Sequence, residues 1–260
     1  MKKISPPILV STIIGTGAIA CVLFTALTPP MFDLSILAPV AVSLRIGPAR
    51  LAYWWRFALS TILLGLFPLI VGLVTGFSAR SLGLASARPI LRSPLFWLTA
   101  AAALAIGAAA GMSPAVGAYY PYARDLVDLV RSGGPMHFAG HLALYFFLYY
   151  VPWEFCFRGF LLLPFVAAAE SLASAPGLDP ERRQSASMLL WMAILFQVIP
   201  STMLHFGHPL SELASAIPAG VAFGYLAYRS RSIVPGLILH AAVGFGTDAA
   251  IVIAALRVAS

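Results

Sequence analysis

The chain has 260 residues, 60% of them hydrophobic and only 10% charged, with a mean hydropathy of +0.92. A soluble domain carries about 25% charged residues, so that class is excluded, and apolar blocks near the ~20 residues needed to cross a bilayer recur along the whole length. The net charge of +7 arises from 16 Lys and Arg scattered through short loops. It forms no basic run or aromatic-interleaved patch, which argues against nucleic acid as a partner and for cationic loops kept on the cytoplasmic side.

Taken in order, the apolar blocks predict spans over 8–28, 53–76, 94–111, 138–165, 188–204, 212–228 and 233–256. The fold class is therefore all-α, a polytopic transmembrane bundle of seven to eight spans, and no alternating strand pattern supports a barrel. Met1-Lys2-Lys3 precedes an apolar run from Ile8 to Leu27 that is long for a signal-peptide core and lacks a small-x-small cleavage site, so an uncleaved first span is expected. Residues 33–44 are apolar but short, fitting a re-entrant or interfacial segment or an eighth short span. Pro152 falls inside the fourth block. Glycines four apart, Gly107/Gly111 and Gly220/Gly224, mark close helix contacts. Cys21 and Cys156 both sit in apolar sequence, against a disulfide framework. The polar stretch 170–187 separates an N-terminal helical part from a C-terminal part of three helices; residues 1–137 contribute only spans, and 138–260 form the C-terminal helical core that carries the ionisable clusters. With the N-terminus inside, Lys2/Lys3, Arg80/Arg88/Arg92, Arg182/Arg183 and Arg229/Arg231 fall on the inner side, while Arg45, Arg50 and Arg56 disagree with that scheme.

Three groups of ionisable residues interrupt the apolar sequence. Trp153-Glu154-Phe155-Cys156-Phe157-Arg158-Gly159 puts a carboxylate and a guanidinium at i and i+4, one helix face. Charges inside a membrane cost roughly 2.5–3.5 kcal/mol each, which favours use over accident. A structural ion pair between helices is the alternative. Leu204-His205-Phe206-Gly207-His208-Pro209 with Glu212 gives two histidines and a carboxylate within eight residues. His240 lies inside the last span, with Asp248 two turns on, roughly on the same face. His137 and His141 at i and i+4 invite a metal, but no HExxH surrounds them, and an interfacial pair is expected instead. A glutamate, two histidines and an arginine from three helices supply what water-mediated peptide hydrolysis needs: a base, an orienting ring, an oxyanion stabiliser and a counter-charge.

Over residues 138–250 these clusters resemble, in order and placement, the CPBP family of CAAX prenyl endopeptidases and bacteriocin-processing or self-immunity membrane proteins. The family pattern runs Glu-Glu-x-x-x-Arg, then Phe-x-x-x-His, then His-x-x-x-Asn/Asp/Gln. Here Trp153 stands where the first glutamate would be, Ser201 replaces the phenylalanine, and Gly244 stands four residues after His240, where the pattern has Asn, Asp or Gln. The resemblance implies catalytic Glu154, Arg158, His205 and His240, with Glu212, Asp248 and His208 as accessories. Glu154 would activate water, His205 assist, His240 stabilise the oxyanion and Arg158 orient Glu154.

The implied function is an intramembrane endopeptidase in a multi-pass protein of the cell membrane. It would act on a membrane-associated peptide or protein, prenylated by family analogy. No cofactor is expected, zinc being the alternative. A non-catalytic scaffold or self-immunity protein is the runner-up, a transporter the third. One geometric tension remains: His205 and His240 enter parallel spans at depths that differ by ~13 Å at 1.5 Å per residue.

Overall fold

The computed structural model describes residues 5–174 and 179–258. Lys2, Lys3 and the centre of the polar stretch 170–187 lie outside the described residues. Among the described residues, seven helices are long and apolar enough to cross a membrane: α1 Pro6–Leu27, α2 Pro48–Val74, α3 Pro94–Gly111, α4 Met136–Ala173, α5 Pro180–Met203, α6 Leu210–Ser230 and α7 Val234–Arg257. No strand occurs among the described residues. Proline opens α1, α2, α3 and α5, where its missing N–H costs nothing and its fixed φ favours a helix start. The Asp179 side chain caps α5 by accepting from the Arg182 N–H at 2.8 Å.

The predicted spans all recur, with polar extensions: α5 starts at Pro180 rather than 188, and α4 reaches 38 residues. No eighth crossing forms among the described residues. The short apolar helix Leu34–Ser43 would extend only ~15 Å, half the ~30 Å hydrocarbon core, and buries only Ala41.

Small residues set the two closest helix contacts, as their spacing predicts. A side chain at Gly107 or Gly111 would collide with the α7 backbone at Val243 and Thr247, and Thr247 Oγ1 donates to the Gly107 carbonyl at 3.0 Å. Together α3 and α7 make the most extensive helix pair. Gly220 and Gly224 of α6 likewise abut Val198, Gln197 and Ile194 of α5. Where lipid offers little hydrophobic drive, such backbone approach supplies the packing.

At the centre, α4 is helical apart from a turn at Leu161–Leu162, with wider π-helical stretches at Phe146–Tyr150 and Phe155–Phe160. Pro152 has no N–H to give the Leu148 carbonyl. Thr61 of α2 gives one instead, its Oγ1 donating to that oxygen at 3.1 Å. A neighbouring helix thereby satisfies a backbone group that lipid could not. Gly65, whose absent side chain would lie 3.3 Å from the Pro152 ring, lets α2 come that close.

The loops sort to two ends. At one, Ile233 N–H donates to the Gly83 carbonyl at 3.0 Å, Ser232 Oγ to the Ala85 carbonyl, and Arg231 pairs with Glu170. At the other, Arg50 pairs with Asp125 at 2.7 Å, and the Arg56 guanidinium lies 4.1 Å from the Tyr122 ring centroid. Two of the three arginines that conflict with the charge-based orientation are thus held by partners in the segment between α3 and α4. Local pairing explains their position without an added crossing.

Candidate active site

Between α4, α6, α7 and the turn that joins α5 to α6 lies a cavity of about 480 Å³. Its walls are largely aromatic: Tyr122, Tyr145, Tyr149, Tyr150, Trp153 and Phe223 all face it. Polar groups interrupt them in three places.

The first is the α4–α7 contact. Glu154 is 0% exposed, and its Oε1 accepts a hydrogen bond from His240 Nδ1 at 2.7 Å. Its Oε2 lies 3.4 Å from Arg158 Nε. Gly236 makes room for this oxygen, since a side chain there would lie 3.3 Å away. Arg158 and His240 line the cavity; Glu154 does not, and stands behind them. The hydrogen bond to Glu154 fixes the His240 tautomer with the proton on Nδ1. Nε2 has no partner among the described residues, and the side chain keeps 22% exposure. A histidine held by a buried carboxylate on one nitrogen and open on the other is the arrangement of a general base.

The second is the α5–α6 turn. α5 continues unbroken through Pro200 to Met203, so Pro200 does not fold the following turn back. His205 Nδ1 donates to the Ser201 carbonyl at 2.7 Å, and its Nε2 lies 3.8 Å from Glu212 Oε1. The same Glu212 oxygen accepts from Tyr120 Oη at 2.7 Å and from His208 Nδ1 at 2.9 Å. Glu212 occupies the first turn of α6, where the helix dipole favours an anion. Burial pushes His205 down to about 4, outweighing the nearby Glu212 charge, so its ring is neutral at pH 7. Burial likewise pushes Tyr120 and Tyr122 up, keeping both hydroxyls protonated as donors.

The depth difference between the two histidines persists. Phe223 lies 5.8 Å from His240 while neighbouring Gly220 and Gly224 rest on Val198 and Gln197. His240 is thus level with that part of α5, and His205 sits about two turns, ~10 Å, further on. The Trp153 indole fills the interval, its ring 5.2 Å from His205 and 6.3 Å from His240. Adjacent helical residues point about 100° apart, which is why Trp153 enters the cavity while Glu154 turns to α7.

The third was not legible as a site. Asp248 Oδ2 pairs with His141 Nε2 at 2.8 Å, and His141 Nδ1 meets Tyr53 Oη at 2.8 Å. His141 is buried, not interfacial, and its partner is Asp248 rather than His137, which is exposed. The spacing His141, Tyr145, Tyr149 (i, i+4, i+8) marks a polar-edged face of α4 and could have exposed this element. Tyr120 and Tyr122 gave no comparable signal, because they lie in a connecting segment that only the fold brings to the cavity.

A zinc site needs three or four converging nitrogen, oxygen or sulfur ligands. Among the described residues no three of His, Cys, Asp and Glu converge in that way. Glu154 is already committed to Arg158 and His240. The residues do not fit zinc, and no chemical step is assigned to one.

Residues 135–246 match the family model described as Rce1-like, type II CAAX prenyl endopeptidase Rce1-like. No curated protein and no solved structure matches the chain. The matched segment runs from the start of α4 to the middle of α7 and so contains Glu154, Arg158, His205, Glu212 and His240. Over that segment, this multi-pass helical protein is similar to the CAAX-protease-like membrane proteins of the CPBP family.

Proposed function

We propose that the chain is an intramembrane endopeptidase that hydrolyses a peptide bond of a membrane-associated substrate inside the aromatic cavity, in the cell membrane. The observation that carries this proposal is the 2.7 Å contact between Glu154 Oε1 and His240 Nδ1 beside an unpartnered Nε2. His240 Nε2 takes a proton from water as the water oxygen bonds to the scissile carbonyl carbon. The C–N bond then breaks, and the same nitrogen returns the proton to the leaving amine. Glu154 acts from behind, holding the tautomer and balancing the imidazolium charge, as a buried carboxylate does for a catalytic histidine. Arg158 faces the other Glu154 oxygen at 3.4 Å and orients the carboxylate. His205, two turns away, contacts the substrate rather than the reacting water. Residues 138–260 carry these groups, and residues 1–137 contribute supporting helices and part of the cavity wall.

The test is cleavage of a peptide panel by purified protein in detergent. His240→Ala should abolish cleavage, and Glu154→Gln should lower it severely, with both proteins still folded. Undiminished cleavage by both variants would dismiss the assignment.

One residue favours the alternative of a non-catalytic relative serving as scaffold or self-immunity protein. Trp153, 2% exposed, fills the space between the two histidines at the position where the family pattern has its first glutamate. Trp153→Glu separates the two: new cleavage from an inert parent identifies a pseudo-enzyme, whereas a parent that already cleaves removes this alternative.

A further inference from the structure

The α5–α6 end of the cavity has acceptors that lack a donor. His205 spends its N–H on the Ser201 carbonyl, which leaves Nε2 as an acceptor, and that nitrogen faces Glu212 Oε1 across 3.8 Å. Two acceptors at that distance do not bond each other, and both residues line the cavity. Glu212 Oε1 already receives Tyr120 Oη and His208 Nδ1, while Oε2 has no protein partner among the described residues. His208 Nε2 is itself met by Tyr122 Oη at 3.5 Å. The station is an anion presenting lone pairs to the cavity. The glutamate side chain is 25% exposed there, against 0% for Glu154 and 1% for Asp248.

The surroundings suit a cation. Tyr120, Tyr122, Tyr145, Tyr149 and Trp153 face the same space, and aromatic faces attract ammonium groups by about 0.5–2 kcal/mol each. The nearest arginines are engaged elsewhere: Arg56 lies over the Tyr122 ring and Arg158 beside Glu154. Neutral His205 adds an acceptor without a competing charge.

We propose that the Glu212 station binds the ammonium group of a guest peptide, from its free amino terminus or a lysine side chain. The ammonium lies between Glu212 and His205 Nε2 and against the tyrosine faces. The assignment rests on the reading that this cavity receives a peptide but not on hydrolysis, so binding can be measured where cleavage is absent.

The experiment measures binding of labelled apolar peptides to the full-length protein in nanodiscs, in the H240A background so that turnover cannot consume the probe. Three probes are compared: a lysine-free peptide with a free amino terminus, its N-acetyl form, and the N-acetyl form carrying one lysine. The free-amine peptide is expected to bind at least about tenfold more tightly than the acetylated lysine-free one, in line with a desolvated charge pair. E212Q should erase that difference. If the lysine restores tight binding, a side-chain ammonium also serves as the source; if it does not, the amino terminus is the sole source. Equal binding of free and acetylated peptides, absence of binding by all three, or a preference that survives E212Q would overturn the proposal. The peptide comparison on the protein with Glu212 intact decides the matter even if E212Q does not fold.

Discussion

Glu154 and Glu212 each hold a histidine by its Nδ1, at 2.7 and 2.9 Å, yet the two carboxylates meet opposite conditions. Glu154 is sealed between α4 and α7 and balanced by a guanidinium. Glu212 opens into the cavity and is held by hydroxyl and imidazole donors at a helix N-terminus. In the proposed reaction the sealed station works through His240, and the open one is the station proposed to meet the substrate. Two carboxylate–histidine pairs of similar geometry thus differ in burial, one behind the cavity wall and one open to it.

Substitutions should separate the two. The largest effect is expected from His240→Ala, which removes the proposed base. Cleavage should fall by about 10²–10⁴-fold, the usual worth of general-base catalysis, with the unfolding transition in detergent little changed. Arg158→Ala acts on the sealed station differently, because it leaves a buried carboxylate uncompensated. Breaking such a pair costs about 3–5 kcal/mol, and unfolding titrations in mixed detergent should register it. A loss below about 1 kcal/mol would mean that Glu154 is not charged behind its wall.

The open station carries a pH signature. Folded His205 takes its proton only near pH 4, whereas an unfolded imidazole does so near the ordinary value of about 6.5. Between those values the unfolded chain binds more protons. Stability from this group is therefore complete above about pH 6.5 and declines as the pH falls towards 4. The loss is at most about 3 kcal/mol, and His205→Gln should flatten that part of the profile measured by thermal unfolding. The smallest effect is expected at the third polar element. Tyr53→Phe removes one hydroxyl from His141, which should cost about 1 kcal/mol and leave cleavage intact.

These contrasts also mark what the sequence could convey. Span number and helix contacts were legible because hydropathy and small-residue spacing act locally: Gly107 and Gly220 lie where their four-residue repeats imply. Glu154 next to Arg158 followed from helical periodicity. The partner of Asp248 did not, since His141 is 107 residues away and only the close α3–α7 and α4–α7 packing brings them together. Likewise, no local pattern distinguishes a carboxylate behind a cavity wall from one in front of it. That depends on the 100° step between Trp153 and Glu154 and on which neighbouring helix each one meets.

The account rests on water reaching the cavity shared by Arg158, His205 and His240. Thiol labelling in the reconstituted protein tests this most directly. Cys21 is replaced by alanine, a cysteine is placed on the wall by V243C, and the fully buried Cys156 is kept as internal control. A charged, water-borne thiol reagent should modify the V243C thiol and spare Cys156. An inert V243C thiol in folded protein, or labelling of Cys156 at a similar rate, would contradict the account.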